Sequence, residues 1–152
     1  MRRFMKKNEN ASDDEPIGDI YRRRPEIKHL RSKLLSIGGQ EVELTSLPDR
    51  DLPILLALGE RFTGATVRVV RQGGASFRNI ALLWLGRETS LSAIVTGYAL
   101  ASDRVWYPHA WGIENEAVLE TTEIHIDYFG RYLTGDDATA FAKMHVIPSV
   151  SL

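Results

Sequence analysis

Leu91–Ala101, Val105–Ile113 and Ala117–Thr122 read as three strands in succession, parted only by turns at Ser102-Asp103 and Glu114-Asn115-Glu116. Connections that short cannot cross over a sheet, so the three strands must run antiparallel as neighbours. The chain before them has a helical period instead. Ile27, Leu30, Leu34 and Ile37 share one face of a helix over Glu26–Ile37, which Gly38-Gly39 stops. Pro48-Asp49-Arg50-Asp51 turns and caps a second helix over Leu52–Phe62, ended by Gly64. A third, Ser76–Arg87, carries a stripe of Phe77, Ile80, Ala81 and Trp84. Short strands are expected at Glu41–Leu47 and Thr66–Val70, a short edge strand at Tyr128–Leu133 and a last helix over Asp136–Met144. Helices first and strands afterwards predict an α+β fold, with N-terminal helices packed on an antiparallel sheet.

At 152 residues the chain suits one domain, read as residues 21–152. Residues 1–20 are polar and poor in large apolar groups, so ordering them would bury too little to offset the lost entropy, and they read as a flexible arm. Net charge is −1, which gives no field that would draw the molecule to nucleic acid or membrane. Arg22-Arg23-Arg24 reads as the solvated start of a helix, and nucleic acid is not an expected partner. The apolar run Ile80–Leu85 is far too short to span a bilayer, and the basic Met1–Lys7 is followed by polar residues instead of an apolar signal core. A cytoplasmic protein is expected, with delivery into a host cell by another route left open. The chain has no cysteine, which excludes disulfides, thiolate metal sites and cysteine catalysis.

Three residues carry candidate chemistry. Ser76 follows a Gly-Gly-Ala loop and opens a helix, where backbone N–H groups are unpaired and the helix dipole is positive. That place suits a nucleophile and its oxyanion, but serine is also a preferred helix cap. His109 lies on the second of the three strands, with Tyr107 and Trp111 on its side. Its partner depends on the next turn. A two-residue turn at Glu114-Asn115 puts Glu120 directly opposite His109, and one at Asn115-Glu116 makes them diagonal neighbours on one face. A three-residue loop sends Glu120 to the other face. In either of the first two registers, a carboxylate would fix the imidazole tautomer and free its other nitrogen to act as a base. His125-Ile126-Asp127 supplies two potential ligands, too few for a metal site.

The runs Ser76-Phe77-Arg78-Asn79, Thr96-Gly97-Tyr98-Ala99, Pro108-His109-Ala110-Trp111, Val118-Leu119-Glu120-Thr121-Thr122 and Tyr128-Phe129-Gly130 together resemble a group of small bacterial and phage proteins of the papain-like and transglutaminase-like cysteine hydrolase superfamily. The resemblance covers about Gly73–Gly130. It implies Ser76 at the nucleophile position, His109 as base and Glu120 as orienting acid. By the same resemblance, Gln72 is an oxyanion donor, Asn79 positions a loop or substrate carbonyl, and Trp111 packs over the histidine.

The departure is serine where such proteins carry cysteine. Three accounts stand, in this order: a Cys→Ser change that traps an inactive enzyme, a natural pseudoenzyme that keeps its cleft, and a true serine hydrolase. The expected function is amide chemistry (protease, deamidase or transamidase) on a protein or peptide, inactive as given, with no cofactor and no metal. The alternative is a non-catalytic binding module, an effector or phage factor with a degenerate cleft.

Overall fold

The computed structural model describes residues 25–44, 52–69, 75–87 and 90–146. The arm over residues 1–20, the Arg22-Arg23-Arg24 run, the Pro48–Asp51 turn and the Gln72-Gly73-Gly74 loop lie outside them. The elements run α1 (Pro25–Ile37), β1 (Glu41–Val42), α2 (Leu52–Leu58), β2 (Glu60–Phe62), β3 (Thr66–Arg68), α3 (Ser76–Gly86), β4 (Leu91–Leu100), β5 (Val105–Glu114), β6 (Ala117–Glu120), β7 (Asp127–Leu133) and α4 (Gly135–Val146). The class is α+β. No helix among the described residues is long and apolar enough to cross a membrane.

The sheet is mixed, which corrects the expectation of an antiparallel one. Its order is β2-β7-β4-β5-β6-β3, with β1 on β5, and the β1–β5 and β3–β6 pairs are parallel. Each parallel pair joins segments far apart in sequence, with helices and strands between them, the kind of long connection that lets a chain return in the same direction. A second correction concerns Glu60–Phe62, read as the end of a helix. That helix stops at Leu58, where the Gly59 N–H donates to the Leu55 carbonyl at 2.7 Å, and only glycine fits next, because a Cβ there would sit 2.4 Å from that oxygen and 2.6 Å from the Phe129 ring. The next three residues form β2, which pairs antiparallel with β7. Accordingly β7 is no edge strand: it lies between β2 and β4. Gly64, at φ 101°, turns the chain from β2 to β3 instead of ending a helix.

The apolar pattern sorts side chains to two faces. Ile27, Leu30 and Leu34 of α1 and Leu52 and Leu55 of α2 pack on Tyr98, Leu100, Trp106 and Phe129 at one end of the sheet. At the other end Ile80, Ala81 and Leu83 of α3 and Ala138 and Ala142 of α4 pack on Ile94, Ala110, Leu119 and Leu133. The opposite face gathers Phe62, Val95, Trp111, Ile113, Val118 and Tyr128 into a cluster of its own. In a flat sheet β2 and β5, three strands apart, would be separated by about 14 Å. The Phe62 and Trp111 rings nevertheless meet edge to face at 5.6 Å, so the sheet curls around this cluster. Its two edge strands, β2 and β3, are joined by residues 63–65 alone, which holds them within about 15 Å of each other.

Two glycines in β4 and β7 permit that curl. Gly97 and Gly130 face each other, and a Cβ on Gly97 would lie 2.1 Å from the Phe129 carbonyl oxygen. One on Gly130 would meet the Trp111 ring at 2.9 Å. The space a side chain would need at Gly130 is taken by the indole.

Candidate active site

The β5–β6 turn sets the geometry. Asn115 and Glu116 have φ of 51° and 65°, the paired left-handed residues of a two-residue hairpin loop. Ile113 pairs with Val118 and Gly112 with Leu119, so Glu120 falls opposite Trp111 and stands diagonal to His109 on the same face. This is the second of the two registers that bring the pair together. The His109 Nε2 lies 3.0 Å from both Glu120 carboxylate oxygens. Both residues are buried, His109 at 6% exposure and Glu120 at 0%.

Glu120 is surrounded by donors. Thr122 gives its backbone N–H (3.0 Å) and its hydroxyl (2.9 Å) to Oε2. Tyr128 gives its hydroxyl to Oε1 at 2.8 Å, and His125 Nδ1 lies 3.2 Å from the same oxygen. Burial by itself would raise the Glu120 pKa. The bonds from His109 and His125, with the Thr122 N–H, outweigh it and hold the carboxyl well below the usual range. An ionised carboxylate only accepts, so the facing nitrogens, His109 Nε2 and His125 Nδ1, carry the protons. In the neutral ring the lone pair then falls on His109 Nδ1. Burial, and then the Glu120 charge, push the Tyr128 phenol up, keeping it a donor.

Ser76 reaches this region from outside the curled sheet. On the side of β5 away from β4, β1 covers Val105–Trp106 and β6 covers Gly112–Glu114, leaving Tyr107–Trp111 between them. The start of α3 fills that gap. The Ala110 N–H donates to Ser76 Oγ at 3.3 Å, so a hydroxyl stands where a neighbouring strand would have offered a carbonyl. The cap of α3 is the extended Ala75, which makes no side-chain cap bond, and Ser76 is the first helical residue. The serine is therefore not engaged as a cap. Its hydroxyl is one peptide away from His109, and among the described residues its hydrogen bond runs to that peptide, not to the imidazole. Ser76 is 8% exposed.

The remaining sequence candidates separate. Asn79 is buried one turn beyond Ser76, and its Nδ2 has no hydrogen-bond partner among the described residues. The Trp111 ring stacks on His109 at 6.0 Å and 25°, packs beside Tyr128, and leaves its Nε1 equally unpartnered. Gln72 lies outside the described residues. Asp127 turns away from His125 to accept from Arg61, with Nη2 to Oδ2 at 2.6 Å. His125 instead joins His109 with ring centroids 4.3 Å apart. From the sequence, His125 counts only as a metal ligand in a set too small for a site, and Thr122 and Tyr128 stand in the motifs without a role; all three meet Glu120. Thr122 had a signal, since a threonine two residues after an acid is placed to bond back to it. The approach of His125 to Glu120 had none: it lies between β6 and β7, where no period fixes the direction of a side chain.

None of the protein-family models, curated proteins or solved structures compared with the chain matches it.

Proposed function

We propose that the domain is an amide-directed hydrolase or acyl-transferase of papain- or transglutaminase-like type, with Ser76 at the nucleophile position, His109 as base and Glu120 as its orienting acid. One observation carries the reading: a single imidazole has one nitrogen held by a buried, ionised carboxylate, and the hydroxyl at a helix start is bonded to the very next peptide N–H. The held nitrogen fixes the tautomer that makes Nδ1 basic. The nucleophile attacks the amide carbonyl carbon while its proton passes to Nδ1. The same proton goes to the departing amine as the C–N bond breaks, and water or a second amine resolves the acyl-enzyme. The N–H groups at the start of α3 and the Asn79 Nδ2, which has no partner among the described residues, are donors available for the oxyanion. A serine there needs the base to remove its proton during attack, whereas a cysteine in the same place would ionise readily. A protein or peptide substrate in the cytoplasm is the setting this reading takes.

A second reading, a binding module with a degenerate cleft, is favoured by the serine and by the low exposure of both Ser76 and His109.

The test is Ser76→Cys against Ser76→Ala, with iodoacetamide and an ammonia-release assay on peptide amides. The thiol introduced at position 76 should alkylate about tenfold faster at pH 7 than an ordinary thiol, because the adjacent base lowers its pKa. Adding His109→Ala should remove that excess. An ordinary alkylation rate in a variant that melts like the parent overturns the catalytic reading.

A further inference from the structure

His125 has no part in the triad, yet it is aimed at the triad's carboxylate. We propose that His109, Glu120 and His125 form a site for one divalent transition-metal ion of the zinc class. The inference shares two residues with the proposed triad, but it stands on its own geometry.

The ligand atoms are His109 Nε2, a Glu120 oxygen and His125 Nδ1, all within 4.8 Å of one another. Two of the three separations are 3.0 and 3.2 Å. A tetrahedral ion with bonds of about 2.0 to 2.1 Å spaces its ligand atoms by about 3.3 Å, so those separations need to change by only a few tenths of an ångström. Two neutral imidazoles and one carboxylate make a donor set that zinc and its neighbours accept, with a fourth position open to water.

The surroundings are those such a ligand set needs. An entering ion would displace the two imidazole N–H donors from Glu120, yet the carboxylate would stay anchored. Thr122 holds Oε2 by two bonds and Tyr128 holds Oε1, and outer partners of this kind orient and tune metal ligands. No thiol competes, because the chain has no cysteine. The other two histidines lie elsewhere. His29 is exposed on α1, and His145 Nδ1 on α4 is bonded to the Phe141 carbonyl at 2.9 Å.

The experiment uses the full chain without an affinity tag. Zinc chloride is titrated calorimetrically, and cobalt(II) is followed by visible absorption. The expected result is one ion per chain, with the intense visible bands of tetrahedral cobalt. His125→Asn should weaken binding at least about tenfold, and His145→Asn should leave it unchanged. No binding to the parent chain overturns the proposal, as do weak octahedral-type cobalt bands or equal affinity in a His125→Asn variant that still melts cooperatively. The two parental readouts decide the matter even if His125→Asn fails to fold. Alkylation at position 76 is not used here, because an introduced thiol would itself bind zinc. Failure of the metal test therefore leaves the amide reading standing, and a failed alkylation test leaves the metal site standing.

Discussion

Thr122 binds one carboxylate oxygen of Glu120 twice, by its backbone N–H at 3.0 Å and its hydroxyl at 2.9 Å. The chain folds back over two residues to close this contact, so the acid is held by its own neighbour before any distant residue takes part. Thr122→Val keeps the shape and the N–H bond and removes only the hydroxyl. A lost hydrogen bond to a charged group should lower stability by about 1 to 2 kcal/mol in urea unfolding, and Thr122→Ser should recover most of it. A loss below about 0.3 kcal/mol would mean that the hydroxyl contributes little.

Glu120→Gln tests the carboxylate itself. The amide turns an N–H₂ donor toward groups that are themselves donors. The loss should exceed about 3 kcal/mol, the scale on which breaking a buried ionic network is felt.

The pH dependence follows from the same group. Its folded pKa lies below the unfolded value, so the unfolded chain binds the proton more readily. The contribution is fully present above the ordinary glutamate value of about 4.3 and is lost as pH falls from there toward the folded pKa. Urea unfolding of the parent chain should weaken between pH 5 and pH 3, measured at about half-unit steps. Glu120→Gln should show a shallower slope over that window. Parallel slopes would remove Glu120 as the source.

Gly97→Ala and Gly130→Ala should differ in kind. The methyl group at position 97 would meet backbone, the Phe129 carbonyl oxygen at 2.1 Å and the Gly130 Cα at 2.5 Å, and neither can move without parting β4 from β7. At position 130 it would meet the Thr96 carbonyl oxygen at 2.7 Å and the Val95 and Trp111 side chains at 2.8 and 2.9 Å. Both should destabilise beyond the usual overpacking loss of about 1 to 3 kcal/mol, with Gly97→Ala the worse in thermal melts. Gly130→Ala should also shift tryptophan fluorescence.

The hairpin turn offers a gain. Glu116 holds φ 65°, a conformation unfavourable for a side chain by about 1 kcal/mol. Glu116→Gly should raise the melting temperature while leaving the His109–Glu120 contact in place. A one-residue insertion after Asn115 should do the opposite, sending Glu120 to the far face of the sheet.

Where the chain repeats a simple period, its structure was readable. Strands β4, β5 and β6 lie within a residue or two of their expected bounds, and the two-residue turn left only a choice of two registers that join His109 to Glu120. The errors gathered where short segments take their form from partners distant in sequence. Glu60–Phe62 continues an apolar helical run, and only pairing with β7 makes it a strand. The parallel contacts of β1 and β3 are equally non-local. At the site, pleat geometry linked histidine to glutamate, but nothing local could announce that His125 folds back to the same oxygen.

The gap in the edge of β5 has a consequence for what position 76 must supply. An Ala110 N–H deprived of its acceptor in this buried place would cost about 1 to 3 kcal/mol, a large part of what a small domain has to spare. A side chain at position 76 that cannot accept this bond would therefore weaken the framework itself, apart from any chemistry at the site.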